Sequence, residues 1–240
     1  MITDAAAWLR DRRVLLLSPH ADDVAYSIGG LVALSGPGAA MTMLTVFGRS
    51  AWALSRELRA EGVEAIARAR AAEDGAYCAV HGISYVALDF DDSSERGYDE
   101  AGELAAAPAD DPQTGAVRDA LLEQVRTLSP DLILAPASIG GHIDHRIVTQ
   151  AVRSLGRDRV AFYEDVPYAA WRSLRDIERA LTGAGMTPAV AADISRVLDE
   201  KIDGMWRYTT QTTAGTIGEM LLHAERLGMG GARYVERLWI

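Results

Sequence analysis

The chain holds one cysteine, Cys78, so no intrachain disulfide can form. That suits a reducing compartment, and a cytoplasmic location is the expectation. No cluster of lysine and arginine stands out, and the formal net charge is -10. Nucleic acid and anionic membrane surfaces are both held by a positive footprint, so neither is expected as a partner. No apolar run approaches the roughly 20 residues that span a bilayer. The opening stretch MITDAAAWLRDRR carries an early acid and no long apolar segment, so it does not read as a secretory signal. No Gly-x-Gly-x-x-Gly follows the first apolar run, which disfavours a dinucleotide site. The glycine-rich Gly228-Met229-Gly230-Gly231 lacks the Gly-Lys-Ser/Thr of a phosphate loop and reads as a turn.

What is present is ordinary for a globular protein, with 49% hydrophobic and 24% charged residues. A chain of 240 residues can bury a substantial core, and one domain over 1–240 is expected. Apolar, β-branched runs recur at Val14–Leu17, Met41–Phe47, Ile83–Phe90, Leu132–Ala135 and Val160–Tyr163, and these predict strands. Helical periodicity lies between them, over Glu57–Val80, Ala116–Leu128 and His145–Leu155. Strands alternating with helices predict an α/β fold, a Rossmann-like, mainly parallel sheet flanked by helices. The near-continuous apolar runs fit strands covered on both faces. Residues 91–114, acidic and rich in small residues with Pro108 and Pro112, read as a surface loop.

Two polar clusters interrupt this pattern. Ser18-Pro19-His20-Ala21-Asp22-Asp23 follows the first strand, and Gly140-Gly141-His142-Ile143-Asp144-His145 follows the fourth. Taken singly, each has a plainer reading, as an acidic helix start or a solvated turn. In an open α/β sheet, however, ligands bind beyond the carboxyl ends of strands, and parallel strands bring both clusters to that edge. Together they hold three of the five histidines and three carboxylates. That set suits a catalytic zinc site, with three protein ligands and one open position for water. Carboxylates and imidazoles left over can serve as base and acid. His81 and His223 each stand alone and read as ordinary residues. The stretch FYEDVPYAAW, 162–171, reads equally as a sugar-binding lining or as core aromatics beside an exposed acid pair. A surface salt bridge is the expected role of Arg49.

At these residues the chain resembles the PIG-L/LmbE family of zinc-dependent N-deacetylases. The first family motif, of the type (Ala/Ser)-His-Pro-Asp-Asp, stands here as Ser18-Pro19-His20-Ala21-Asp22-Asp23, and His-x-Asp-His as His142-Ile143-Asp144-His145. Gly29-Gly30, Arg70-x-x-Glu73, Asp92, Asp193-Ile194, Lys201, Tyr208 and Gln211 resemble further family signals in the right order. Ala21 and Ile143 replace prolines, Thr210 replaces a serine, and 50–63 looks like added length. The resemblance implies an LmbE-like fold and one zinc per chain on His20, Asp23 and His145, with other divalent metals able to substitute. It implies Asp22 as general base and His142 as the group that stabilises the oxyanion or protonates the leaving amine. Asp144 would orient a histidine, and Arg70 and Asp92 would contact substrate. The implied reaction removes an N-acyl group, N-acetyl above all, from an amino sugar or its conjugate, releasing acetate and a free amine. Substrate would be a small molecule, and a homo-oligomer is open. The Ala- and Arg-rich composition suggests a high-GC bacterium. The alternatives are a metal-dependent phosphoesterase and a non-catalytic sugar- or nucleotide-binding module.

Overall fold

All five apolar runs form strands in a computed structural model of the chain, which describes residues 1–36 and 39–240. They are β1 (Arg13–Ser18), β2 (Ala40–Thr45), β3 (Ser84–Ala87), β4 (Leu132–Pro136) and β5 (Val160–Tyr163). Two further strands, β6 (Pro188–Asp193) and β7 (Val235–Trp239), complete one seven-stranded sheet in the order β3-β2-β1-β4-β5-β7-β6. β1 to β5 pair in parallel, and β7 runs antiparallel to both β5 and β6.

The last two strands are not among the apolar runs, for a physical reason. Half of β6 is alanine, which favours strands poorly. β7 carries Glu236 and Arg237, a charged pair that argues against burial until one sees that both are buried in internal ion pairs.

Side chains alternate across the sheet. Val14 and Leu16 of β1 join the core under α1 (Ala5–Leu9), α2 (Asp23–Ser35), α4 (Val63–His81), α9 (Leu198–Met205) and α10 (Ala214–Arg226). Leu15 and Leu17 point the other way, under α6 (Thr114–Leu128), α7 (Ile143–Arg153) and α8 (Leu174–Gly183). The result is a three-layer α/β/α sandwich with Leu-, Val- and Ile-rich strands buried from both sides.

The helix expected over Glu57–Val80 is broken. α3 (Arg56–Glu61) and α4 meet at Gly62, whose φ of +90° a side chain would strain. The stretch 91–114 carries a short helix, α5 (Glu100–Ala105), and a single 3-10 turn at Pro108–Asp110. Ser93 and Asp111 in it are buried. No helix of the described residues is long and apolar enough to cross a membrane.

The order of the strands positions the site. From β1 the chain passes to β2 on one side, and later returns to place β4 on the other side of β1. The crevice at such a reversal, above the carboxyl ends of β1 and β4, is where open α/β sheets bind ligands. Both polar clusters open there.

Candidate active site

β1 ends at Ser18, and the loop beyond it is held by its own bonds. Ser18 Oγ donates to the His20 carbonyl at 2.6 Å and accepts from the Val24 N–H at 3.3 Å. The His20 N–H donates to Asp23 Oδ2 at 2.8 Å. Asp22 sits at the N-cap of α2 with φ +108°, a conformation costly for a residue with a side chain, and caps no helix N–H. The strained backbone separates the two acids. Asp23 turns into the interior between His20 and His145, and Asp22 stays partly exposed.

The second cluster starts α7. His142 is its N-cap, and its Nδ1 accepts the Asp144 backbone N–H at 3.2 Å. His145, one turn in, is completely buried. Its Nδ1 lies 3.1 Å from Asp165 Oδ2, while its Nε2 has no hydrogen-bond partner and faces Asp23 Oδ1 at 3.4 Å. His20 presents Nε2 to Asp144 Oδ2 at 2.8 Å and Nδ1 to Asp23 Oδ2 at 3.4 Å.

Two trios place one donor atom each within 4.8 Å of the others: His20, Asp23, His145 and His20, His142, Asp144. The first contains a buried donor atom with no partner, His145 Nε2. A buried, unpartnered imidazole nitrogen costs stability unless something binds it, and Asp165 leaves the Nε2 lone pair of His145 available. The second trio is already satisfied. Asp144 Oδ1 takes Arg96 Nη2 at 2.6 Å, and Oδ2 takes the Ser93 N–H at 3.0 Å beside His20. The first trio can therefore hold a tetrahedral cation through two nitrogens and a carboxylate.

Electrostatics follow from this crowding. Burial, reinforced by Asp23, pushes the Asp22 carboxyl well above the usual carboxylate range. Burial acts the same way on Asp144, but its hydrogen bond to His20 and the charges of His20, His142 and Arg96 override it and hold the carboxyl low. Burial lowers His142, with His20 and His145 adding to the effect against the pull of Glu103.

Arg70 and Asp92, expected as substrate contacts, are both buried. Arg70 Nη2 donates to the Trp52 carbonyl at 2.9 Å, and its Nη1 lies 4.0 Å from Asp92 Oδ2. Asp92 Oδ1 closes the turn over Ser94 and Glu95.

Three residues that no sequence motif marks complete the site: Asp165, Arg96 and Glu103. Asp165 belongs to the FYEDVPYAAW stretch, whose acid pair is buried and not exposed. Its aromatics lie at the site too: the Tyr168 ring stands 5.3 Å from that of His145 and 5.4 Å from Trp171, which is 60% exposed. Gly140 permits this, since a Cβ there would fall 2.3 Å from the Tyr168 ring. Arg96 and Glu103 come from 91–114, where irregular backbone hides which side chains turn inward. His223, expected to be ordinary, is buried and pairs with Glu164 at 2.7 Å in a separate cluster with Arg237.

A family model for PIG-L, GlcNAc-PI de-N-acetylase, matches residues 15–155. The 2'-N-acetylparomamine deacetylase of Streptomyces fradiae is 43% identical over 252 residues, covering 96% of this chain and 90% of that protein. The chain belongs to the PIG-L family. This PIG-L protein is a hydrolytic N-deacetylase. Solved structures share its fold. A deacetylase of teicoplanin biosynthesis superposes with a TM-score of 0.74 at 23% identity, covering 95% of this chain and 96% of that one. The N,N'-diacetylchitobiose deacetylase of Pyrococcus horikoshii gives 0.65 at 18%, covering 96% and 84%. The PIG-L match starts inside β1 and ends just past α7, so it spans both polar clusters.

Proposed function

We propose that this deacetylase hydrolyses the N-acetyl group of a small amino-sugar conjugate of the kind of 2'-N-acetylparomamine, releasing acetate and a free amine. The observation that carries this reading is the trio His20, Asp23 and His145 with one orphaned nitrogen, set beside the partly exposed Asp22. A divalent cation, zinc by the donor set and one per chain, fits that trio. When bound it supplies a Lewis acid for the amide carbonyl and acidifies the attacking water.

The protein's own groups do the rest. Asp22 takes a proton from the attacking water as the new C–O bond forms. It returns that proton to the nitrogen as the C–N bond breaks, so one carboxylate closes the proton cycle. His142 offers its Nε2–H to the carbonyl oxygen as negative charge develops. Asp144, anchored by Arg96 and the Ser93 N–H, fixes the ring of His20. Arg70 tempers the charge of Asp22 from its buried position, and Asp92 holds Arg70. Tyr168 and Trp171 provide an aromatic face for the sugar ring. The enzyme acts in the cytoplasm, in keeping with a single, buried, free cysteine.

A two-metal phosphoesterase is not favoured, because Asp144 of the second trio is already bonded to Arg96 and Ser93. The deciding experiment incubates zinc-loaded protein with 2'-N-acetylparomamine and N-acetylglucosamine and measures free amine and acetate in equal amounts. Asp22→Asn protein with full metal content is the control. A metal-loaded parent that releases no amine from any N-acetyl amino sugar would sink the reading.

A further inference from the structure

His142 is held from both sides. The Asp144 N–H points at Nδ1 at 3.2 Å, which favours a lone pair there. The single proton of a neutral ring is then on Nε2. That nitrogen faces Glu103 Oε2 at 3.4 Å. Glu103 is itself fixed, because Ser93 Oγ donates to the same oxygen at 2.8 Å, and Ser93 is buried with its N–H on Asp144 Oδ2 at 3.0 Å. The four residues form a closed ring of contacts: Asp144 to His142, His142 to Glu103, Ser93 to Glu103, and Ser93 back to Asp144. α5 lies directly over the second cluster. A Cβ on Gly141 would sit 3.3 Å from the Leu104 carbonyl, next in sequence to Glu103.

We propose that Glu103 is a positioning residue that locks His142 in its Nε2–H tautomer, making it a neutral hydrogen-bond donor to the oxyanion and not the source of a proton. This rests on the amide-hydrolysis reading above. Its chemical content is specific. For His142 to protonate the leaving nitrogen it would have to carry a proton on Nδ1 as well, and that proton would collide with the Asp144 N–H. The water proton taken up by Asp22 therefore has to be the one delivered to the nitrogen. The 3.4 Å gap to Glu103 is longer than a settled N–H···O bond, so the Nε2 proton can be shared with an arriving carbonyl oxygen. Glu103 thus sets which nitrogen is protonated without consuming the donor. The stretch 91–114 becomes the wall that carries this device, with Ser93, Arg96 and Glu103 all turned onto the second cluster.

The test has a spectroscopic and a kinetic arm. Zinc-loaded protein labelled with 15N-histidine is studied by long-range proton–nitrogen correlation, with His142→Gln identifying the signals. The parent shows His142 in the Nε2–H form, Glu103→Ala shows a mixture of tautomers, and Glu103→Gln, which keeps an acceptor oxygen, restores the single form. In turnover, Glu103→Ala lowers kcat on the order of ten- to a hundredfold. Its KM stays within about threefold of the parent. Glu103→Ala combined with His142→Ala is no slower than His142→Ala alone. A parent in which His142 carries its proton on Nδ1, or on both nitrogens, overturns the proposal. So does a Glu103→Ala protein with unchanged tautomer and kcat, or an additive double variant. The spectroscopic arm needs no substrate, so it decides the tautomer even if the deacetylation reading fails.

Discussion

His145 and Asp165 meet at 3.1 Å between Nδ1 and Oδ2, and neither has any exposed surface. Asp165 also accepts the Ile139 N–H at 3.0 Å, which ties the imidazole to the loop after β4. The carboxylate keeps the proton of His145 on Nδ1 and the lone pair on Nε2. Asp165→Asn is expected to weaken zinc binding about 10- to 100-fold. Competition against a chromophoric chelator measures it, and an unchanged affinity would mean that Asp165 does not orient the ring.

Adjacent acids are expected to separate cleanly on substitution. Asp22→Asn keeps one zinc per chain and loses about 10²- to 10⁴-fold in kcat, the usual worth of a positioned base. Asp23→Asn loses the metal itself. Elemental analysis beside turnover of both proteins checks this, and metal loss in the Asp22 variant would reassign Asp22 as a ligand.

Lys201, the only lysine in the chain, braces a kink in α2. Ile28 leaves helical geometry, with φ -132° and ψ 19°, so nearby backbone groups lose their helical partners. Lys201 Nζ donates to the Tyr26 carbonyl at 2.7 Å and to Glu236 Oε1 at 2.5 Å, and Glu236 accepts the N–H groups of Gly30 and Leu31. Breaking a buried pair strands the other charge, so Lys201→Met or Glu236→Gln is expected to cost about 3–5 kcal/mol. The double variant should cost less than the sum. Urea unfolding of all three proteins tests it; strict additivity would remove the coupling.

Asp74 gives a pH dependence of definite sign. Burial pushes its carboxyl up to about 6 from 3.8, against the hydroxyls of Thr45, Tyr208 and Tyr85 that donate to it. Between those two values the folded state binds more protons than the unfolded state, so this group's contribution falls as pH rises through about 6. The loss is roughly 3 kcal/mol from a two-unit shift. Asp74→Asn should therefore gain stability relative to the parent between pH 4 and pH 8. Denaturant midpoints across that range decide it, and a constant difference would contradict the raised value.

Much of the fold is legible because β1, β2, β4 and β5 are parallel strands largely buried on both faces, with β3 half-buried at the sheet edge. Their side chains need no polar alternation, so each stands out as an apolar run. β6 and β7 break that rule with alanines and two buried charged residues, Glu236 and Arg237, each paired elsewhere, and no local pattern marks them. His20, Asp22, Asp23, His142, Asp144 and His145 stand out because their clusters interrupt apolar runs where a parallel sheet presents its ligand edge.

By itself the sequence determined the residue types of the site and the two strand ends that carry them, since strand period and motif spacing are local properties. Only the tertiary structure decided which atoms meet. His20 reaches Asp144 across 124 positions, Arg96 reaches it across 48, and Asp165 reaches His145 across 20. Such pairings depend on how the crossover helices and the 91–114 excursion pack over the sheet, and packing is a property of the whole core that no single stretch of sequence encodes.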